Sequence, residues 1–428
     1  MIVMTKILII ADDLSGAADC AAAFAKVGMD TLVVLDGSAA QIASAHVVAV
    51  DADSRRLPAS EAARIHQALH ARYYADGMLL YQKMDSTLRG NFAVEVATAA
   101  AGAGLAIVAP AFPRAGRTTR DGCQYLHGIP LEQSEVWRLA GLTGTAAIPA
   151  ILQRQGLRTI SLNCATLRQE TTEVAALLAS LAGDGVQAVV CDAETDDDLC
   201  RIAQASLGLP VPCFWAGSAG LAGQLAIAVS RTLPDTRPAP PNVEVTGAIL
   251  TVVGSMSSVS RQQAERLEAA TRIACIGVDV AMLRKGPQHA DWLALQQELC
   301  AAIASGRDLL LTMAGEDAID VDEGLHLCQA LAALVSPLAG ETGAVIATGG
   351  ETARALLCAM GYYALRLQGE IEAGVPLSIA TGPRPLAVVT KAGAFGDDAT
   401  LLECYRALAE ARSSAGSWLP ASNFMKGH

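Results

Sequence analysis

Short, continuous apolar runs recur along the chain, and most of them end on a cluster of polar or glycine residues. In the first half, Lys6–Ile10, Thr31–Leu35, Val47–Val50, Met78–Tyr81, Leu105–Ala109, Ala188–Asp192 and Val211–Trp215 read as strands. They do not alternate apolar with polar, which is the pattern of strands covered on both faces of a parallel sheet. Between them lie helical stretches: an Ala-rich one to about Val27, Pro58–Tyr74 with its proline near the first helical position, and one opening at Phe92. The pattern restarts after Leu233–Asn242, where Pro234, Pro238, Pro240 and Pro241 predict a linker. Beyond it Ala248–Val253, Cys275–Val280, Asp308–Thr312, Ala344–Ala347 and Leu386–Val389 predict a second set of strands. The expected fold class is α/β, with two domains that each hold a mostly parallel sheet flanked by helices. Residues 1–232 and 247–428 are the expected domains, 233–246 the linker, and the active site is expected in the interdomain cleft.

In the first half the strand ends carry charge. The first runs into Ala11-Asp12-Asp13-Leu14-Ser15-Gly16, where Asp13 or Ser15 can cap the helix. Capping accounts for one carboxylate; the other is free to act as a base toward a hydroxyl or to hold a metal. The third strand ends at Asp51-Ala52-Asp53-Ser54-Arg55-Arg56. The fourth ends at Lys83-Met84-Asp85-Ser86-Thr87-Leu88-Arg89-Gly90-Asn91, the densest polar mixture in the chain. Polar groups are costly in a core but fit the carboxyl end of a strand, where open α/β sheets bind ligands. Lys83 and Arg89 suit an anion, Arg by a two-pronged grip on a carboxylate. The plainer alternative is a solvated turn with an Asp85–Arg89 pair. After Leu105–Ala109 a long irregular loop, residues 110–122, carries Arg114, Arg117 and Arg120, either as a binding loop or as a solvated one. Gly217-Ser218-Ala219-Gly220 opens a helix as an anion site or as simple packing.

The second half is different. Gly254-Ser255-Met256-Ser257-Ser258, Thr348-Gly349-Gly350-Glu351-Thr352 and Thr390-Lys391-Ala392-Gly393-Ala394-Phe395-Gly396-Asp397 each follow a predicted strand. Such turns suit phosphates through backbone N–H groups and helix N-termini. Neither a Walker-type loop nor a G-x-G-x-x-G opening is present, so P-loop and ordinary dinucleotide folds are unsupported.

Composition narrows the classes. Of 428 residues 52% are hydrophobic, 17% charged and only 4% aromatic, which provides large aliphatic cores. A net charge of −12 argues against nucleic acid or an anionic membrane as partner, and makes any anionic ligand depend on local cations. Eleven cysteines without a C-x-x-C pair, among them Cys191, Cys275 and Cys300, read as buried free thiols in a reducing, cytoplasmic setting. The first apolar run is too short for a signal peptide and no apolar stretch spans a membrane. His66 and His70, four apart, read as a helix surface pair, and His127 as a loop residue near the arginines.

Taken together, in order and over nearly the whole chain, these motifs resemble the four-carbon acid sugar kinase family. Those that carry the resemblance are Ala11–Ala17, Lys83–Asn91, Pro110–Pro113 with Gly116–Thr118, Gly217–Ala222, Gly254-Ser255, Gly349–Thr352 and Lys391–Gly396. Ser15 replaces a common Thr, and Ala392 and Ala394 replace a common Ser and Asn, so contacts there would be through backbone. The resemblance implies an N-terminal sugar-acid domain and a C-terminal nucleotide domain. It implies an ATP-dependent kinase acting on the terminal hydroxyl of D-threonate, D-erythronate or a 3-oxo-tetronate, with Mg²⁺ on the ATP phosphates. Asp13, Asp85 and Lys83 are the catalytic candidates, Asp13 first as base. Asp12, Asp13, Lys83, Asp85, Ser86, Arg89 and Arg117 are the substrate-binding candidates. Ser255, Ser257, Thr348, Gly349, Gly350, Glu351, Thr352, Gly393 and Gly396 are the nucleotide-binding ones. A homodimer is compatible with the hydrophobic content. A non-catalytic sensor or an NAD(P)-dependent dehydrogenase are the competing readings.

Overall fold

The computed structural model describes residues 6–35, 45–75, 77–232, 243–254, 257–314, 321–372, 374–393 and 395–413. The chain forms two compact units. The first comprises Met1–Thr31 and Gln41–Arg237, the second Leu32–Ala40 and Pro238–His428. In chain order the strands up to residue 217 are β1 (Ile7–Ala11), β2 (Thr31–Val34), β3 (Val47–Asp51), β4 (Leu79–Lys83), β5 (Leu105–Ala109), β6 (Arg117–Arg120), β7 (Cys123–Leu126), β8 (Ile129–Pro130), β9 (Thr159–Leu162), β10 (Ala188–Cys191) and β11 (Cys213–Gly217). They continue with β12 (Ala248–Val253), β13 (Ala274–Asp279), β14 (Leu309–Ala314), β15 (Thr342–Thr348), β16 (Ala364–Glu372), β17 (Val375–Thr381) and β18 (Leu386–Lys391).

The sheet of the first unit is parallel in every pairing, in the order β3-β1-β4-β11-β5-β10-β9. Strands β1, β3 and β10 are buried at every residue, which is what their unbroken apolar runs require. The chain leaves β1 to build β3 on one side and β4 on the other, so the strand order reverses at β1. Ala11 lies opposite both Asp51 and Lys83, which puts the polar ends of all three strands side by side. The Gly217-Ser218-Ala219-Gly220 opening is a packing feature. A Cβ at Gly217 would lie 2.6 Å from the Ala109 carbonyl and one at Gly220 2.7 Å from that of Ala111, while Ser218 Oγ donates to Ala111 O at 2.8 Å.

In the second unit β13-β14-β12-β15-β18 run parallel, and β17, β16 and β2 extend the edge antiparallel. The order reverses between β12 and β15. Val253 pairs with Thr348 and Thr348 with Lys391, so the three glycine turns begin from neighbouring strands. A core of aliphatic side chains, including Ile249, Leu310, Ile346, Val389 and Leu401, closes one face of this sheet.

Several elements depart from the sequence reading. The loop 110–122 is not irregular throughout: its residues 117–120 are β6, which forms a small antiparallel sheet with β7 and β8. Its Arg-Thr-Thr-Arg strand shows no apolar alternation because both of its faces are largely polar. The β16–β17 hairpin and β9 also went unread. His66 is fully buried rather than on a helix surface. Cys191 is buried, but Cys275 on edge strand β13 is exposed and Cys300 is partly so; all eleven thiols are free. Among the described residues no helix is long and apolar enough to cross a membrane.

Candidate active site

In the first unit the three adjacent strand ends converge on Arg55. Its Nε and Nη2 donate to Asp12 Oδ2 at 2.7 Å and Oδ1 at 2.8 Å, and its Nη1 to Asp13 Oδ2 at 2.6 Å. Asp13 also caps the helix Leu14–Lys26, its Oδ1 accepting from Gly16 N at 2.8 Å. The two adjacent carboxylates are therefore divided between a cap and a guanidinium fork, and Asp13 takes part in both. Lys83, at the tip of β4 and 5% exposed, completes the group. Its amine lies over Gly16: a Cβ there would sit 2.6 Å from Asp13 Oδ1 and 2.8 Å from Lys83 Nζ. A Cβ at Gly90, which has φ +83°, would meet Asp12 Oδ2 at 2.6 Å. Glycine at 16 and 90 is what lets these charges approach one another.

Burial disfavours the charged forms, and the neighbours decide the outcome. Arg55 is held well above the ordinary arginine value: burial opposes its charge, but Asp12 and Asp13 outweigh it. Lys83 is likewise raised, with burial overcome by Cys20, Asp13 and Asp12. Burial pushes the Cys20 thiol up, so the carboxylates are the charged partners at neutral pH. Asp13 moves the other way from an ordinary paired carboxylate. Burial raises it, and Asp12 adds to the rise against the pull of Arg55, Lys83 and the Gly16 N–H.

The turn after β4 is organised by Asp85. Its Oδ2 accepts from Thr87 N at 3.1 Å, from Arg89 Nε at 2.9 Å and from the Thr87 hydroxyl, and its Oδ1 accepts from Arg89 Nη2 at 2.9 Å. Burial favours the protonated acid, but the Arg89 hydrogen bond and charge, with Arg55 and Lys83, hold Asp85 well below the ordinary range. Ser86 is buried and its carbonyl accepts from Gln124 Nε2 at 2.8 Å, which ties the turn to β7. Of the three arginines after β5, Arg114 pairs with Asp196 and Arg120 with Glu194 at the surface. Arg117 differs. Its Nε is buried without a hydrogen-bond partner, and burial lowers its pKa although Asp85 pulls it up. A desolvated guanidinium with an open donor is suited to an incoming anion.

In the second unit Ser255 lies outside the described residues. Gly349, at φ 91°, caps the helix Gly350–Ala359, which begins with Glu351 in its first turn. Its N–H donates to Lys391 O at 2.7 Å. The Thr348 hydroxyl is buried and unpartnered at the end of β15. Thr352 turns its hydroxyl inward to Cys328 Sγ at 3.2 Å, and a Cβ at Gly254 would collide with it. Ser257 caps the helix Ser258–Ala270 and reaches Gly393 O at 3.4 Å. Lys391 Nζ donates to the carbonyls of Ala392 at 3.0 Å, Gly393 at 2.9 Å and Phe395 at 3.0 Å. Burial lowers Lys391 to about 8. A Cβ at Gly396, which has φ +81°, would meet Glu372 Oε1 at 2.8 Å beside Thr400. An orphaned hydroxyl, helix starts and a lysine amid carbonyls, at a reversal of strand order, fit a nucleotide phosphate.

Sequence reasoning named most of this set but missed Arg55. Its only mark in the sequence is a charged segment after the third strand.

One unit with a cluster of charges at the turning point of a parallel sheet, and one with glycine turns at its own, define a two-domain α/β protein. Family models agree: a sugar-binding N-terminal domain matches residues 7–225 and a nucleotide-binding C-terminal domain residues 250–401. The chain belongs to the four-carbon acid sugar kinase family. It is 47% identical to a D-threonate kinase of Cupriavidus necator, over 95% of this chain and 99% of that one. It is 33% identical to a 3-oxo-tetronate kinase of Methylobacterium radiotolerans, over 90% and 95%. In fold it matches a crystal structure from Salmonella typhimurium LT2 with a TM-score of 0.78 at 24% identity, covering 94% of this chain and 99% of the other.

Proposed function

We propose that the protein is an ATP-dependent kinase of a four-carbon sugar acid, with D-threonate the first substrate to test, and that it phosphorylates the terminal hydroxyl. The observation that carries the reading is the juxtaposition of Asp13 with Lys83 and Arg55 at the strand reversal of the first unit, in a chain so similar to a D-threonate kinase. The acid's carboxylate would take the open donor of Arg117, with Arg89 beside it. Its hydroxyls would meet Asp12, Asp13, Lys83 and the Ser86 turn. ATP would lie on the turns at 254–258, 348–352 and 393–396.

Phosphoryl transfer needs alignment and charge neutralisation more than covalent chemistry. The terminal oxygen of the acid bonds to the γ-phosphorus while the bond from that phosphorus to the β,γ-bridging oxygen breaks, and ADP leaves. The hydroxyl proton passes to Asp13, whose raised pKa suits a base better than the strongly acidic Asp85. Asp85 instead holds Arg89. Lys83 and Arg55 offset the negative charge that develops. The described residues hold no group of three or more His, Cys, Asp or Glu arranged around a metal. Mg²⁺ would arrive on the ATP phosphates and neutralise their charge.

The test is ADP release by the purified protein with ATP and Mg²⁺ over D-threonate, D-erythronate and 3-oxo-tetronates, with the product assigned by phosphorus NMR. One of these acids is expected to stimulate ADP release and to carry phosphate at its terminal oxygen. ADP release indifferent to all of them overturns the reading.

A further inference from the structure

Behind the Arg55 cluster lies a second polar layer that the reaction does not use. Ser54, His66, Gln82 and Glu95 are all buried, at 0%, 0%, 0% and 1% exposure, in an otherwise aliphatic interior. Ser54 Oγ lies 3.0 Å from His66 Nε2 and 3.3 Å from Glu95 Oε1. Gln82 Nε2 lies 3.3 Å from His66 Nδ1 and 3.4 Å from Glu95 Oε2. The four side chains close a ring between the helices Ala59–Tyr73 and Phe92–Ala103 and strand β4.

Ser54 joins this ring to the Arg55 cluster. Its N–H donates to Asp12 O at 3.0 Å, its carbonyl accepts from Asn91 Nδ2 at 3.1 Å, and the next residue is Arg55. Such a ring costs stability unless every member is satisfied, so it needs a reason beyond packing. We propose that Ser54, His66, Gln82 and Glu95 are positioning residues that set Arg55 against Asp12 and thereby govern the affinity of the first unit for its anionic substrate. The substrate clause rests on the function proposed above; the effect on Arg55 does not.

The ring also carries a titration. Burial lowers His66 to about 4, with His70 adding to the fall, so its imidazole is neutral. Burial raises Glu95 to about 8, Asp12 adding to the rise against Ser54, Arg55 and Lys83. Those are the charged groups that face it, with His66 and His70 on the neighbouring helix. Glu61, Arg64 and Arg72 of that helix lie at the surface. The other elements packed on its helix, β5, β11 and Ile148–Gln153, carry no Asp, Glu, Lys, Arg or His. Near neutrality the ring is uncharged. Above pH 8 a carboxylate forms there and competes with the substrate for Arg55 and Lys83.

The experiment compares wild type, Glu95→Gln and Ser54→Ala. In wild type kcat/KM for the sugar acid should fall about tenfold per pH unit above 8, a limb absent from Glu95→Gln, which keeps the neutral shape. In Ser54→Ala, KM for the acid should rise about fivefold or more at pH 7, while KM for ATP stays within about twofold, a split that general loosening would not give. The same limb in both proteins, with an unchanged KM in Ser54→Ala, overturns the proposal. A substrate-free reading runs beside it: the ¹⁵Nε resonance of Arg55, assigned by its loss in Arg55→Lys. It should titrate near pH 8 in wild type and not in Glu95→Gln. An Arg55 signal unresponsive to pH in wild type refutes the coupling, even if no four-carbon acid is turned over.

Discussion

Replacing Arg55 by Lys tests the geometry of the site most directly, because it keeps the charge and removes the fork. Arg55 donates three hydrogen bonds to two carboxylates, at 2.6, 2.7 and 2.8 Å, with its side chain 22% exposed. A lysine can replace one of them well. Two charge-assisted bonds are then lost, each worth about 1.5–3 kcal/mol. Partial exposure favours the lower figure, so the loss is about 3 kcal/mol. At 1.36 kcal/mol per decade this is roughly a hundredfold in kcat/KM for the sugar acid, if the geometry is needed in the transition state. KM for ATP should stay within about twofold, because Arg55 belongs to the sugar-acid unit. Steady-state kinetics with each substrate varied in turn, and urea unfolding to confirm that the variant folds, make the measurement. A folded Arg55→Lys protein whose kcat/KM for the acid is within about threefold of wild type refutes the reasoning. Arg55 would then be only a strut between strand ends.

The other predictions concern pH, the loop arginines and the nucleotide turns. Glu95 has a folded pKa raised to about 8, so its contribution to stability is present below the unfolded carboxyl value and is lost as pH rises toward 8. From pH 6.5 to 8 wild type should lose about 1–2 kcal/mol relative to Glu95→Gln in urea unfolding, the deprotonation of unfolded His66 being common to both proteins; parallel curves would count against the buried acid. Lys391, lowered to about 8, should lose its charge above that pH. KM for ATP should then rise in wild type, stay flat with pH in Lys391→Arg, and be high at every pH in Lys391→Met. Arg117→Ala should raise KM for the acid at least about tenfold, whereas Arg114→Ala and Arg120→Ala, whose partners are surface carboxylates, should stay within about twofold. Gly254→Ala drives a methyl into Thr352 and should impair ATP use while leaving sugar-acid binding, read by calorimetry, intact.

How much of this was legible in the sequence depends on whether the deciding fact was local. The glycine turns, the strand-end carboxylates and the Lys83–Asn91 stretch are local, and so they could be read. Arg55 was not, because its role depends on β3 and β4 both flanking β1, and strand order is not written in any one segment. His66 was misread for a related reason. Its helix has a mean composition so polar that only Ala62 and His66 are buried, and no apolar stripe marks the inner face. The grouping of Leu32–Val34 with the second unit depends on pairing with Ala364–Arg366, more than three hundred residues away. The polar strand β6 lacks the alternation that makes strands visible.

The pairing of charges also bears on which anions the first unit would accept. In a chain of net charge −12, cations alone would attract any small anion, but here most cations are already engaged. Arg55 is forked onto Asp12 and Asp13, Arg89 onto Asp85, and Lys83 lies against Asp13. A bare anion such as phosphate placed on Arg55 or Arg89 would have to displace those carboxylates and would leave them buried and unpaired, a penalty of several kcal/mol. Arg117 presents a buried Nε with no partner. On the proposed function, a ligand with one carboxylate and several hydroxyls avoids the penalty. Its single charge goes to the open guanidinium, and its hydroxyls donate to Asp12 and Asp13 without breaking the fork, since each carboxylate oxygen has lone pairs to spare. Selectivity for a polyol acid over simple anions then follows from cations that are paired in advance.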